Sequence, residues 1–291
     1  MIPPPFEYVV PSSVVEAVHI LDQDDNAKIL AGGQSLIPML RFRLAAPGML
    51  VDINRIQGLD YIREEDGWLK IGAMTREAAI DRSDLVRKHY PLLADTARLI
   101  ADPLVRNMAT IGGNLSHADP ANDHPATMLA YRAQVVMEGP QGRRTVPIQE
   151  FFEGPFESAL QHNEILTEIR IPAHQLGGSG AYEKMERKVG DFATAAVAVQ
   201  LQVDASGVCT SAGIALTNVG LTPIQATAAE HSLAGQALTD AAIRQAAQLA
   251  GEVAEPQDDH RGSEEYKRAL VRTLTVRALR KAQSRLDGGQ S

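Results

Sequence analysis

The sequence predicts an α+β fold in two parts, and three observations carry the prediction. Short helices and strands alternate through the first half of the chain. A glycine-rich joint, His174 to Gly180, then breaks that rhythm. Beyond it come three strand-like runs in succession and then helix to the end, the order expected of an antiparallel sheet with helices packed on it. The boundary expected from this change divides the chain into residues 1–175 and 176–291.

Each element has its own signal. Ser13 with Glu16 makes a capping box, and Val14, Ala17, Val18 and Leu21 share a helical face. Lys28 to Leu30 reads as a strand running into the glycine pair Gly32-Gly33. A helix is expected from Leu36 to Leu44, stopped before Pro47, with strands at Leu50 to Ile53 and Trp68 to Gly72. Another helix falls near Thr75 to Ile80. Leu92 to Ile100 reads as helix ended by Asp102-Pro103, and a second glycine pair lies just beyond. Gln134 to Glu138 and Arg143 to Pro147 flank a Gly139-Pro140-Gln141-Gly142 turn as a hairpin. Glu164 to Ile171 is a strand closed by Pro172. Past the joint, strands are expected at Ala181 to Lys188, Thr194 to Val203 and Val208 to Thr217, with the tight turn Asp204-Ala205-Ser206-Gly207 joining the last two. From Ile224 onward the pattern is helical.

With 291 residues, 44% hydrophobic and 22% charged, the chain suffices for one large or two medium domains. A net charge of -8 and the lack of a basic cluster interleaved with aromatics argue against a nucleic-acid partner. Cys209 stands alone. That excludes a disulfide framework, an iron–sulfur cluster held by four thiolates of this chain, and a multi-cysteine zinc site. The start, Met1-Ile2-Pro3-Pro4-Pro5-Phe6, has no signal-peptide pattern, and no apolar run nears the roughly 18 residues that span a bilayer. The expectation is a cytoplasmic protein with no transmembrane segment.

The chemistry is read mainly from two glycine-pair segments, Ala31-Gly32-Gly33-Gln34-Ser35 and Thr110-Ile111-Gly112-Gly113-Asn114. Each offers consecutive N–H groups with no side chain in the way. A glycine pair followed by a small polar residue can form a concave nest for phosphate oxygens. Two nests in one domain suit a ligand with two phosphates, a dinucleotide. Ser35 is placed to cap the helix that follows it. Neither segment has the G-x-G-x-x-G spacing of a Rossmann loop, and no Walker A sequence occurs, so a nicotinamide dinucleotide on a Rossmann fold is disfavoured. The plainer alternative is a strand-to-helix turn, for which glycine is the default residue.

Downstream, His117, Asp119, Asp123 and His124 can be read as metal ligands. The proline-containing stretch between the two histidines is unlike the H-E-x-x-H placement on one helix face, and no metal ligand is assigned. The carboxylates suit hydrogen bonds from ribose hydroxyls or an adenine amino group. Lys184, Arg187, Lys188, Asp191 and Phe192 form a compact polar-aromatic run at a strand end. They fit either a solvated strand end with a core phenylalanine or a cation and a flat surface beside a flavin. No serine or cysteine nucleophile lies in a recognisable elbow, so acyl transfer has no support and no catalytic residue is assigned.

Taken in order, these segments resemble, nearly end to end, the FAD-binding medium subunits of the molybdenum hydroxylases, the xanthine dehydrogenase family. Within that family the likeness is strongest to the branch found in aerobic carbon monoxide dehydrogenases. It is carried by Phe6-Glu7-Tyr8, the first glycine segment continuing into Leu36-Ile37-Pro38, Ile71-Gly72-Ala73-Met74-Thr75 and Ala101-Asp102-Pro103. Arg106-Asn107, the second glycine segment, Asp119-Pro120 and Asp123-His124-Pro125 follow. Tyr182-Glu183-Lys184, Arg187-Lys188-Val189-Gly190-Asp191-Phe192-Ala193-Thr194-Ala195, Leu216-Thr217-Asn218-Val219 and Arg261-Gly262-Ser263-Glu264-Glu265-Tyr266 close it. Gln34 and Phe192 depart from that branch, where His and Tyr or Trp are usual.

The resemblance implies an FAD domain of the vanillyl-alcohol-oxidase type with two α/β lobes, then a smaller domain with a three-stranded antiparallel sheet and helices. It also implies that Ala31, Gly32, Gly33, Gln34, Ser35, Thr110, Ile111, Gly112, Gly113 and Asn114 hold the pyrophosphate of FAD. Asp123 is implied on the adenosine side, and Lys188 and Phe192 near the isoalloxazine ring. The expected role is electron transfer within a complex. A large partner subunit carries molybdopterin and a small one carries 2Fe-2S clusters; electrons leave through FAD to quinone, dioxygen or NAD. A free-standing flavin oxidoreductase and a non-catalytic nucleotide-binding or scaffold protein are the rival readings.

Overall fold

The computed structural model describes residues 2–288. The chain opens with β1 (Glu7–Val9), α1 (Val14–Gln23), β2 (Ala27–Leu30), α2 (Leu36–Phe42) and β3 (Met49–Asp52). These strands form a small parallel sheet in the order β1-β3-β2. Ser13 caps α1, accepting from the Glu16 N–H at 3.2 Å, while the Glu16 carboxylate reaches back one residue further than expected, to Ser12. Ala17, Val18 and Leu21 of α1 pack with Ala27 and Val51 as a core of their own.

A second sheet is antiparallel throughout, in the order β4-β5-β10-β6-β7: β4 (Ile62–Glu65), β5 (Trp68–Gly72), β6 (Gln134–Gly139), β7 (Gly142–Pro147) and β10 (Ile165–Pro172). A bulge between Leu166 and Glu168 lets Leu166, Ile169 and Ile171 all face one core although their spacing breaks the alternation of a regular strand. Between β5 and β6 lie six helices: α3 (Glu77–Arg82), α4 (Asp84–His89), α5 (Pro91–Leu99), α6 (Pro103–Arg106), α7 (Ile111–His117) and α8 (His124–Tyr131). Every residue of α8 is buried, so this helix forms the centre of the molecule and has no polar outer face. β8 (Phe152–Gly154) and β9 (Glu157–Ser158) make a short ribbon.

After the joint, β11 (Gly178–Met185), β12 (Ala195–Val203) and β13 (Val208–Thr217) form an antiparallel sheet. The expected three strands are its long members. The two-residue strands β14 (Ile224–Gln225) and β15 (Gln236–Ala237) both pair with β13, interrupting the region expected to be wholly helical. Helices α9 (Thr227–Leu233), α10 (Asp240–Val253) and α11 (Glu264–Gly288) complete the described residues.

Strand alternation gives this sheet two unlike faces. Val197, Val199, Leu201, Ile214 and Leu216 pack toward α9 and α11. On the opposite face Tyr182, Ala196, Ala198 and Ala215 join the core of the preceding sheet and its helices. The small alanines let α5 and α8 approach closely. One apolar core therefore runs continuously from the second sheet into the third.

One further element departs from expectation. Asp102-Pro103, read as a helix stop, starts α6: the Asp102 carboxylate accepts from the N–H groups of Leu104 and Val105 at 2.7 and 3.0 Å. An Asp-Pro pair satisfies both N-cap and N1 preferences, so it signals a start as readily as a stop.

Candidate functional site

Gly32 lies directly on the backbone of Met108 and Ala109. A Cβ at Gly32 would sit 2.8 Å from the Ala109 Cα and closer still to the Met108 carbonyl oxygen, so only glycine permits this approach. Gly33 then turns the chain with φ +73°, the left-handed region that favours glycine. Across the contact, a Cβ at Gly113 would sit 3.7 Å from that of Ala31. The fold thus brings together Ala31 to Ser35 and Thr110 to Asn114.

The two segments are built differently. The backbone N–H groups of Gly32, Gly33, Gln34 and Ser35 donate to no acceptor among the described residues. Thr110 to Asn114, expected as a second nest of free N–H groups, instead opens α7. Thr110 caps it by accepting from the Gly113 N–H at 3.2 Å, and the burial of Ile111 and Leu115 holds two glycines in a helical turn that their propensity disfavours. The N–H groups of Ile111 and Gly112 donate to the carbonyls of Thr75 and Ala73 at 3.1 and 2.9 Å. The open row of donors therefore belongs to the first segment, with the second as its backing. Ser35 does not cap α2; its backbone is already helical and its hydroxyl makes no capping bond.

Asn54 and Arg76, which the sequence did not single out, tie the segments together. The Asn54 Nδ2 donates to the Ala31 carbonyl at 2.9 Å. One Arg76 nitrogen donates to the Asn54 Oδ1 at 2.6 Å, and another to the Met108 carbonyl. Arg76 follows Thr75, the last residue of a recognised motif, so position was the only available signal.

The structure also bears on whether a dinucleotide fits. The glycines let the first segment seat on Met108–Ala109, and the row of N–H groups it carries stands unspent. Asn114 Oδ1 is buried with no hydrogen-bond partner, a gap that a ligand hydroxyl or amino group would fill. These residues suit an anion flanked by hydroxyl and amide groups.

Asp123 stands at the start of α8, deeply buried. Its two carboxylate oxygens accept from the Tyr182 hydroxyl at 2.7 Å and from the Lys184 ammonium at 2.9 Å. Burial pushes the carboxyl above its ordinary value, and Lys184 opposes that. Lys184 also donates to the Leu99 carbonyl at 3.1 Å. The other candidate ligands go to separate partners. His124 pairs with Glu77 at 2.7 Å in full burial, His117 packs on Phe156, and Asp119 accepts from the Ala121 N–H in its own turn.

Lys188 and Phe192 lie in the exposed turn after β11, Phe192 with half its surface open. Arg261 fixes this turn, donating to the Phe192 carbonyl at 2.9 Å and to Asp191 at 3.0 Å. The Arg261 bond holds the Asp191 carboxyl down at about 2. Gly190 rests on Ala101, where a Cβ would meet backbone at 2.9 Å. Ala101 precedes α6 and Met108 follows it, so the turn and the glycine contact flank that one helix.

Comparison with known proteins establishes the chain's family. The family described as the FAD binding domain in molybdopterin dehydrogenase matches residues 4–174, and the CO dehydrogenase flavoprotein C-terminal domain matches residues 180–282. The chain is 48% identical to the carbon monoxide dehydrogenase medium chain of Hydrogenophaga pseudoflava, over 98% of this chain and 99% of that one. It is 39% identical to the 6-hydroxypseudooxynicotine dehydrogenase complex subunit alpha of Paenarthrobacter nicotinovorans, over 97% and 96% of the two chains. The solved carbon monoxide dehydrogenase from Hydrogenophaga pseudoflava contains a chain that superposes with a TM-score of 0.95 at 50% identity, covering 98% of this chain and 99% of that one. The chain belongs to the FAD-binding medium-subunit family of the molybdopterin dehydrogenases.

Proposed function

We propose that this chain is the FAD-carrying electron-transfer subunit of a molybdenum hydroxylase complex of the carbon monoxide dehydrogenase type. The observation that carries the reading is the seating of Gly32 on Met108–Ala109, which sets the unspent N–H groups of Gly32 to Ser35 beside Thr110 to Asn114. In this reading Gly32 to Ser35, in the segment that begins at Ala31, donate to the pyrophosphate, and Thr110 to Asn114 back that segment, with Asn114 Oδ1 accepting from a hydroxyl or amino group of the ligand. Asp123, locked by Lys184 and Tyr182, shapes the adenosine side through the start of α8. Lys188 brings positive charge, and Phe192 a flat apolar face, to the isoalloxazine side. When bound, FAD supplies an acceptor that takes up electron pairs and passes them on.

The division of labour follows from ligand count. Cys209 is buried and its thiol is pushed up by burial, so this chain has no thiolate set for a cluster. The clusters and the molybdopterin belong to a small and a large partner subunit, and an external acceptor (quinone, dioxygen or NAD) receives the electrons. The parallel and antiparallel sheets before residue 175 support the two lobes of a vanillyl-alcohol-oxidase-type domain, with residues 176–291 as the second domain. Among the described residues no helix is long and apolar enough to cross a membrane. With a single unpaired cysteine, that supports a cytoplasmic complex.

The test is to purify the chain alone and with its partners, and to assay flavin and turnover in each. FAD in the complex, with turnover only when all three subunits are present, supports the reading. Turnover of a substrate by the isolated chain would make it a free-standing flavin oxidoreductase. A complete assembly without FAD would leave a scaffold.

A further inference from the structure

We propose that Arg76 and Asn54 are positioning residues that aim the cradle's donors at the ligand's phosphates, an inference that rests on the FAD reading above. In a trans peptide the carbonyl of one residue and the N–H of the next point in opposite directions. Asn54 Nδ2 holds the Ala31 carbonyl at 2.9 Å, so the same bond sets the direction of the Gly32 N–H, the first of the unspent donors.

The orientation of the Asn54 amide is fixed from both ends. Its Oδ1 accepts from Arg76 at 2.6 Å, and its Nδ2 also donates to Asp52 Oδ1 at 2.6 Å. Were the amide to flip, two donors would confront each other and the Ala31 carbonyl would face an oxygen. Arg76 completes the strut by holding the Met108 carbonyl, the group on which Gly32 is seated. One planar guanidinium therefore links the Met108 carbonyl to the Asn54 amide, and Asn54 in turn holds the Ala31 carbonyl, so both backbone oxygens are engaged by protein donors. A carbonyl released from these bonds would be free to turn, and its oxygen would repel a phosphate placed on the free donors. The guanidinium fork is needed because its two bonds diverge from one rigid plane, which a lysine ammonium cannot reproduce.

The experiment uses the full chain in the assembly in which it carries flavin, stripped of cofactor and titrated with FAD, with ADP and with riboflavin. Variants are Arg76→Met, Arg76→Lys, Asn54→Ala and the Arg76→Met/Asn54→Ala pair, each with its thermal unfolding midpoint. For Arg76→Met and Asn54→Ala the dissociation constants for FAD and ADP should rise roughly ten- to a hundredfold, the scale of a hydrogen bond to a charged group. Riboflavin, which has no phosphate, should bind as before. Arg76→Lys should fall between, and the double variant should lose less than the two single losses combined, because the Arg76–Asn54 bond is counted in both.

Equal loss for FAD and riboflavin in step with a lowered midpoint would mean a merely structural role and would overturn the inference. So would unchanged FAD affinity in both single variants. If Arg76→Met does not fold, Asn54→Ala decides alone, since it cuts the link to Ala31 and leaves Arg76 on Met108. A wild-type assembly that binds no FAD would instead overturn the underlying reading.

Discussion

Lys184 and Asp123 meet at 2.9 Å with side chains 1% and 7% exposed, joining the third sheet to the central helix α8. Lys184 belongs to β11 and Asp123 begins α8, so the pair spans the seam between the two parts of the chain. Tyr182 adds its hydroxyl to the same carboxylate from the same strand.

Removing one partner leaves the other charge buried without compensation. Lys184→Met should destabilise the protein by about 3–5 kcal/mol, and the Lys184→Met/Asp123→Leu double variant should recover most of that. Urea unfolding midpoints measure both. A single-variant cost near that of a surface pair would show that the seam is wetter than the structure has it.

The contact of Gly32 with Met108–Ala109 leaves no room for a methyl group. Gly32→Ala should cost about 1–3 kcal/mol, the usual penalty for overpacking, and should lower the flavin content of the purified protein. Wild-type stability together with full flavin content would show that the two segments are not in contact.

Thr110 and Ser35 offer a direct contrast. Thr110 caps α7 and Ser35 caps nothing. Thr110→Ala should cost about 1 kcal/mol, and Thr110→Ser should restore it. Ser35→Ala should change stability by less than about 0.5 kcal/mol. Equal costs at the two positions would contradict the structure.

Arg261 lowers the Asp191 carboxyl from its ordinary 3.8 to about 2. A depressed carboxylate stabilises the fold above its unfolded value and loses that contribution as pH falls through the folded one. Hydrogen exchange in residues 187–192, corrected for intrinsic rates, should therefore stay flat down to about pH 4 and then rise toward pH 2. In Arg261→Met the turn should exchange faster even at neutral pH. An identical profile in the variant would show that Arg261 does not hold the turn.

Local signals explain what was legible in the sequence. Trp68–Gly72 and Val208–Thr217 were read at their full bounds because apolar runs bounded by glycine or proline leave few alternatives. The strand expected at Glu164 to Ile171 is present at Ile165–Pro172, but its bulge was not foreseen, since a bulge is set by the partner strand. The glycine pairs were visible as pairs. Which of them kept its N–H groups free depended on Ala73 and Thr75, whose carbonyls come from another turn. Arg76, Asn54 and the His124–Glu77 pair were invisible for the same reason: each bond joins residues more than twenty positions apart. The Lys184–Asp123 pair was half legible, both residues being noted but not their meeting.

The most direct test of the cradle is the identity and amount of the flavin released from the chain purified with its partner subunits. FAD at one molecule per chain is the predicted result, because paired segments built around a row of free N–H groups suit two phosphates. A colourless assembly, or one that releases only FMN with its single phosphate, would contradict it.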